Sequence, residues 1–284
     1  MTVVGCVGLG NMGGALAANL VGAGFEVVAH DAAGPERTPE GAVPATGVAE
    51  LAAKADAVVL SLPDGAASEQ VAREIAAAEG RRTVQVVDTS TIGPRAARAV
   101  AGLLARAGVG YVDAPVSGGP AGARARTLAV MYAGSDDDCE RARPVLEGLS
   151  DRLHRVGDRP GMGQALKLAN NFLSATALAA TSEAVAFGVA AGLDMETMLE
   201  VLNAASGQSA ASRDKFPQHV LTGRYASGFS NALMTKDVRL YLDAVREQDG
   251  PATLGEVTAS VWERFSEAEP GADFTRIHPF VEGT

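Results

Sequence analysis

From residue 3 to about residue 157 the chain alternates short apolar runs with stretches long enough for a helix, and then the alternation stops. The runs are 3–7, 25–29, 57–62, 83–87, 110–112, 128–132 and 153–156, and the segments 12–23, 66–79, 94–107 and 136–149 between them have the length of crossover helices. Strands joined by helices can pair in parallel, so the alternation predicts a mainly parallel sheet covered on both faces. The runs are continuously rich in Val and Leu rather than alternating with polar residues, as a sheet buried on both sides requires.

After Gly163 the pattern changes. Residues 164–192 are rich in Ala and Leu, contain no proline and carry almost no charge beyond Lys167 and Glu183. They predict one helix of about 40 Å at 1.5 Å per residue. A helix apolar all round has to be buried, here between domains or between subunits. Further helices are expected at 195–205, 232–248 and 253–268, with no strand among them. A chain of 284 residues exceeds what one hydrophobic core fills. The expected organisation is therefore an α/β domain over 1–160 and an all-helical domain over 161–284, joined by the long interdomain helix. Residues 32–46 read as a turn-rich connection and 269–284 as a weakly patterned tail.

Composition removes several classes of function. With 47% hydrophobic residues the chain can bury a core, which excludes disorder. A net charge of −10 makes it a poor ligand for phosphate backbones, so no nucleic-acid partner is expected. Cys6 and Cys139 cannot form a disulfide framework and point to a reducing, cytoplasmic setting. His30, His154, His219 and His278 include no pair at metal-ligand spacing, so no metal is expected. The first 25 residues lack charge, but no Lys or Arg precedes the apolar stretch as a signal peptide needs. Gly5, Gly8, Gly10, Gly13, Gly14, Gly22, Gly24, Asn11 and Asn19 interrupt it, which argues against a membrane span.

Four motifs could carry chemistry. Gly8-Leu9-Gly10-Asn11-Met12-Gly13 directly follows the first strand run and opens a helix. In a dinucleotide site the three glycines serve a tight turn, close backbone approach to the pyrophosphate, and helix–strand packing, while helix N–H groups receive the phosphate charge. Asp31 ends the second run 18 residues past Gly13, where an acid can hold the ribose hydroxyls. Strand, loop, helix, strand and acid together predict a Rossmann-type dinucleotide-binding domain, and the carboxylate favours NAD over NADP. An ordinary glycine-rich turn is the plainer reading of the spacing alone. Asp113-Ala114-Pro115-Val116-Ser117-Gly118-Gly119-Pro120 follows a β-run, and its Ser-Gly-Gly turn can present a hydroxyl and successive N–H groups to a carboxylate; a simple turn is the alternative. Lys167 and Asn171 lie four apart and share a helix face in a nearly uncharged helix, where a lysine needs a reason. Lys236-Asp237 opens an amphipathic helix and would by itself pass for a surface pair.

Together, in this order and at these separations, the motifs resemble the β-hydroxyacid dehydrogenases, over nearly the whole chain. Asn11 in the glycine loop is most similar to the 3-hydroxyisobutyrate branch. The resemblance implies that Ser117, Gly118 and Gly119 hold a substrate carboxylate, that Lys167 is catalytic and that Asn171 orients the substrate. It also implies that Leu62, Pro63, Thr91 and Lys236 line an NAD cofactor beside Gly8, Leu9, Gly10, Asn11, Met12, Gly13 and Asp31. Departures are visible. Ala67 stands where the family often has asparagine, and Arg126-Thr127-Leu128 where many relatives have Gly-Thr-Leu. Ser206-Gly207-Gln208-Ser209-Ala210 stands where the 3-hydroxyisobutyrate enzymes carry tryptophan after a Ser-Gly-Arg stretch, and this last difference bears on the substrate.

The expected reaction transfers a hydride between NAD and a small 3-hydroxy acid, or the corresponding semialdehyde, with Lys167 exchanging the hydroxyl proton. Free lysine has a pKa of about 10.4, and burial beside a positive nicotinamide would disfavour the ammonium. The rival readings are an imine reductase of similar fold, which generally lacks the lysine, and a non-catalytic cofactor-binding scaffold. The small-molecule carboxylate is the expected partner, and the apolar helix points to a homodimer or homotetramer.

Overall fold

A computed structural model describes residues 2–283. The chain divides into two compact units, one running to Lys167 and the other beginning at Leu168.

In the first unit the strands are β1 (Val3–Val7), β2 (Glu26–His30), β3 (Val43–Pro44), β4 (Ala57–Leu60), β5 (Gln85–Asp88), β6 (Gly110–Asp113), β7 (Val116–Ser117), β8 (Ala129–Ala133) and β9 (Arg152–Gly157). They form one sheet in the order β3-β2-β1-β4-β5-β6-β8-β7, with β9 on β8. The pairings from β3 through β6 are parallel, β8 runs antiparallel to β6 and β7, and β9 is parallel to β8. The helices are α1 (Gly13–Gly22), α2 (Val48–Lys54), α3 (Gly65–Ala77), α4 (Gly93–Arg106), α5 (Gly119–Arg124), α6 (Asp136–Leu149) and α7 (Met162–Ala190), the last continuing into the second unit.

Consecutive strand residues enter opposite cores. Val4, Cys6, Val27, Ala29 and Val59 pack with Leu16 and Leu20 of α1 and with Val145, Leu146 and Leu149 of α6. Val3, Val7, Val28, Val58 and Leu60 pack with Leu51 of α2, Ile75 of α3 and Val100 and Leu104 of α4. This two-sided burial is the physical content of the continuous apolar runs. It also silences Cys6, whose thiol is pushed up to about 12 by burial and stays protonated.

The second unit contains α8 (Met195–Ala204), a π-helical segment (Ala211–Val220), α9 (Asn231–Arg246), α10 (Thr253–Ala268) and α11 (Ile277–Glu282). Its core gathers Leu178, Val185, Phe216, Val238, Trp262, Phe265 and Phe274. The Trp262 indole N–H donates to the Ala175 carbonyl at 3.3 Å, fixing α10 against the C-terminal part of α7.

Several expectations need correction. Residues 32–46, expected as turns alone, hold a 3₁₀ turn (Pro35–Arg37) and β3, and the unforeseen α2 follows. Of the tail at 269–284, whose last residue lies outside the described residues, 269–283 are organised by Asp273, which accepts from Ser227 Oγ, the Gly228 N–H and the Thr275 N–H and hydroxyl, and so seats a 3₁₀ turn (Phe274–Arg276) ahead of α11. Along the long helix Leu173 is 66% and Phe187 77% exposed, so one chain alone does not supply all the burial expected between domains or between subunits. Apolar residues encircle the helix, whereas the helices of one chain cover only part of its circumference.

Candidate active site

From β1 the chain crosses to β2 on one side, and β4 lies on the other, so the loops after β1 and β4 diverge at the carboxyl end of the sheet. Crevices at such switch points are where open α/β sheets take ligands. The residues Gly8 to Gly13 occupy this one, and their glycines differ in kind. Gly8 has φ +87, and a Cβ there would lie 2.3 Å from the Ser61 carbonyl oxygen. Gly13 is packed, its Cβ position lying 1.9 Å from the Gly8 carbonyl oxygen. Gly10 is the open one, with nothing within 4 Å of its Cβ position. A turn, an unobstructed backbone and a tight helix seat are what a pyrophosphate requires, so the loop fits a dinucleotide. Leu9 is buried, Asn11 exposed and Met12 intermediate.

Asp31, just past β2, is shared between the loop and its own turn. Its Oδ2 accepts the Leu9 N–H at 2.6 Å, its Oδ1 accepts the Ala33 N–H at 2.8 Å, and Arg37 Nη1 lies 3.5 Å from Oδ1. Burial would raise the carboxyl, but the two N–H donors and the guanidinium outweigh it and hold the pKa below the ordinary value. Asp31 therefore stays ionised at the point where a ribose would lie.

Leu62 and Pro63 follow β4 and Thr91 follows β5, on the same edge. The Leu62 N–H donates to Ser90 Oγ at 2.8 Å, linking these loops. Beneath them the fully buried Asp88 accepts from the Ser90 N–H at 3.0 Å and the Tyr111 hydroxyl at 3.3 Å. Burial pushes its carboxyl up despite those donors.

Ser117 ends β7 and is half-buried, Gly118 has φ +136 and Gly119 φ +66. Two successive left-handed residues turn the chain sharply from β7 into α5, a path that glycine takes without strain. Four residues before Ser117, Asp113 is fully buried, its Oδ1 accepting the Gly161 N–H and its Oδ2 the Gln164 N–H, each at 2.8 Å. Burial raises its pKa to about 6. Gln164 is also fully buried, its Oε1 accepting the Ile92 and Gly93 N–H groups at 2.9 and 3.1 Å and its Nε2 donating to the Ser90 carbonyl at 2.9 Å. Lys167 follows one turn along α7 and is 8% exposed.

In the second unit Asn171, also on α7, donates from Nδ2 to Asp237 Oδ2 at 2.6 Å and accepts at Oδ1 from Asn170 at 3.0 Å. Asp237 is buried on α9, and Lys236 Nζ lies 3.2 Å from its Oδ1. The carboxylate thus fixes which way the Asn171 amide points, leaving one N–H and one oxygen lone pair for a ligand. Ser209 and Ser212 bond reciprocally at 2.9 and 3.3 Å around Ala210, which is exposed.

Sequence reasoning left Gln164 unmarked and gave Asp113 and Asp237 no roles. An acid closing an otherwise apolar strand, as Asp113 does, is the signal that could have found Asp113. Arg126 has φ +57, a conformation that suits the glycine of many relatives. Its guanidinium donates to the Gly148 and Glu147 carbonyls at the end of α6, at 2.5 and 2.8 Å, which offsets the backbone strain.

Comparison with known proteins agrees with this geometry. Residues 3–157 match the model for the NAD binding domain of 6-phosphogluconate dehydrogenase, and residues 161–280 match that for the NAD-binding of NADP-dependent 3-hydroxyisobutyrate dehydrogenase. A probable 3-hydroxyisobutyrate dehydrogenase of Mycobacterium tuberculosis is 36% identical, with 98% of this chain and 97% of that protein covered. The 2-(hydroxymethyl)glutarate dehydrogenase of Eubacterium barkeri is 35% identical, with 92% and 88% covered. The solved structure of Mycobacterium tuberculosis 3-hydroxyisobutyrate dehydrogenase with L-serine superposes with a TM-score of 0.90 at 34% identity, 99% of each chain being covered. With a glycine loop built for a dinucleotide, an amide-bearing helix and relatives of this kind over its whole length, the chain belongs to the β-hydroxyacid dehydrogenase family, NAD-binding oxidoreductases acting on hydroxy acids.

Proposed function

We propose that the protein interconverts a small 3-hydroxy acid and its semialdehyde with a preference for NAD, and that Lys167 is the proton-transfer residue. The observation that carries the reading is a nearly buried lysine one turn before Asn171 on α7, with the Asn171 amide held by Asp237. In the oxidative direction the hydroxyl proton goes to Lys167 Nζ as the C–H bond gives up its hydride. Bound NAD supplies the hydride acceptor. In reduction the Nζ ammonium returns the proton to the aldehyde oxygen. Ser117, Gly118 and Gly119 would hold the substrate carboxylate through the hydroxyl and N–H groups of their turn, and Asn171 would orient the reacting hydroxyl. Leu62, Pro63, Thr91 and Lys236 would line the cofactor.

Asp31 supports the NAD preference, since a 2′-phosphate would face an ionised carboxylate. Two unit charges 4 Å apart repel by about 4 kcal/mol at an effective dielectric of 20. Arg37, 3.5 Å from that carboxylate, offsets part of this and makes the preference graded rather than absolute. Comparing kcat/KM for the two cofactors tests it, and a clear preference for NADP would remove Asp31 from the role.

The substrate we favour carries a C2 substituent larger than methyl. Ala210 stands where the 3-hydroxyisobutyrate enzymes have tryptophan, and the rings that could refill such a gap are engaged elsewhere: Phe216 packs edge-on against His278 at 5.2 Å and Phe229 against Phe274 at 5.6 Å. The relative named for 2-(hydroxymethyl)glutarate supports a family tolerance of bulk at C2. Each added buried CH₂ contributes about 0.8 kcal/mol, so two or three methylenes would shift affinity more than tenfold. Turnover of 2-alkyl-3-hydroxypropanoates, semialdehydes and cyclic imines separates this reading from its rivals. A steady fall in kcat/KM from methyl upward would show a closed pocket, and turnover of imines alone would mark an imine reductase.

The apolar side of α7, with Leu173 and Phe187 exposed, supports a homodimer or homotetramer. A cytoplasmic protein with no membrane or nucleic-acid partner fits the acidic, cysteine-poor composition.

A further inference from the structure

The first turn of a helix carries N–H groups with no acceptor inside the helix, and where that turn is buried something outside must supply one. For α7 the supplier comes from another element. The Asp113 carboxylate at the end of β6 reaches the Gly161 N–H with one oxygen and the Gln164 N–H with the other. Gly163 permits the approach, because a Cβ there would stand 2.4 Å from the Met131 carbonyl oxygen and 2.8 Å from Asp113 Oδ2. Gln164 then fastens the same turn sideways, spanning the Ile92 and Gly93 N–H groups and the Ser90 carbonyl. Thr91, the residue the resemblance places beside the cofactor, lies inside that bracket.

We propose that Asp113, with Gln164, is a positioning residue that sets where Lys167 Nζ stands relative to the loops of the dinucleotide edge. The inference rests on the proton-transfer role given to Lys167. Lys167 comes three residues after Gln164 in an unbroken helix, so the height and rotation of its Cα follow from how the first turn is seated. Capping alone does not call for a buried acid: serine, threonine and asparagine serve as well as aspartate, and the aspartates that cap α3 and α8, Asp64 and Asp194, are exposed. Here a fully buried carboxylate is kept although burial works against its ionised form and Asp88 adds repulsion. In return it aligns two N–H groups through charge-assisted bonds, stronger and shorter than neutral ones. A displacement of about 1 Å at a reacting group can lower turnover by about a hundredfold, which is the scale on which such a clamp matters.

The test is a double-mutant cycle on turnover, using Asp113→Asn, Lys167→Ala and the double variant with NAD and the best substrate of the hydroxy-acid panel. Asparagine keeps the volume of the aspartate but turns an NH₂ toward one of the two N–H groups. Asp113→Asn is expected to lower kcat about ten- to hundredfold in the wild-type background, and less than twofold once Lys167 is alanine, because nothing is left to position. Calorimetric affinity for NAD should change less than threefold. An equal loss of kcat in both backgrounds, or no loss in either, overturns the positioning role while leaving Lys167 in place. A wild-type kcat in Lys167→Ala overturns both that assignment and the proposal. Should Asp113→Asn fail to fold, Gln164→Met, which removes three hydrogen bonds at similar volume, takes its place in the cycle with the same expected and contradicting results.

Discussion

Replacing Gly13 or Gly10 by alanine adds the same methyl group to the same loop, and the structure assigns the two substitutions opposite consequences. At Gly13 the new Cβ would stand 1.9 Å from the Gly8 carbonyl oxygen and 2.9 Å from Ser61 Cβ, where ordinary contact begins at 3.4 Å. The obstructing atom is backbone, so α1 has to lift away from the loop by about 1.5 Å. Overpacking costs about 1–3 kcal/mol in a well-packed site, and a backbone clash belongs at the top of that range. For a unit of this size about 3 kcal/mol lowers Tm by about 6–12 °C. At Gly10 the methyl enters open space, and the stability of the ligand-free protein should stay within about 0.5 kcal/mol of wild type. The same methyl stands where the backbone is left open for the pyrophosphate, so NAD affinity should fall at least about tenfold. Thermal unfolding without ligand and calorimetric titration with NAD read the two effects separately. A Gly10→Ala protein as destabilised as Gly13→Ala, or one that binds NAD as wild type does, would refute this division of labour.

Asp113 makes a pH prediction whose sign follows from its raised pKa. The carboxyl titrates near 6 in the folded protein against about 3.9 unfolded, so the folded state holds the extra proton between those values and this group's contribution to stability is lost as pH rises through 6. Wild type should therefore gain about 2 kcal/mol relative to Asp113→Asn on going from pH 7.5 to 4.5 in denaturant titrations, and a gap that stays constant would contradict the assignment. Arg126→Ala keeps an unfavourable backbone angle while losing two charge-assisted bonds to the end of α6, and should lower stability by about 1–3 kcal/mol. Arg126→Gly, which relieves the angle, should lose less, and equal losses in thermal unfolding would show that the backbone strain is negligible.

What could be read from the chain alone depended on whether the signal was local. β1, α6 and α10 were legible because a continuous apolar run or a capped amphipathic stretch contains its own evidence; Ser135 Oγ receiving the Asp138 N–H at the start of α6 is such a cap. The two-residue β3 and seven-residue α2 were not, since β3 lies in a glycine- and proline-rich stretch and α2, though built of helix formers, is too short to show a periodicity. The same holds in the candidate site. The glycine loop and Asp31 follow a spacing, whereas the bonds that seat α7 join residues 48 to 74 positions apart, from Asp113–Gly161 to Ser90–Gln164. The exposure of Leu173 and Phe187 also could not be read from periodicity, because a helix apolar on every side gives no hint of which side its own chain leaves uncovered.

Lys167 is proposed to move the proton while this chain oxidises a 3-hydroxy acid. That role is tested most directly by steady-state NADH formation from saturating NAD and 2-alkyl-3-hydroxypropanoates, comparing wild type with Lys167→Ala after calorimetry has established that the variant still binds NAD. General acid–base catalysis contributes about 10²–10⁴-fold, so kcat should fall by that factor with NAD affinity retained. A variant that binds NAD and turns over at the wild-type rate would remove Lys167 from the proton-transfer role.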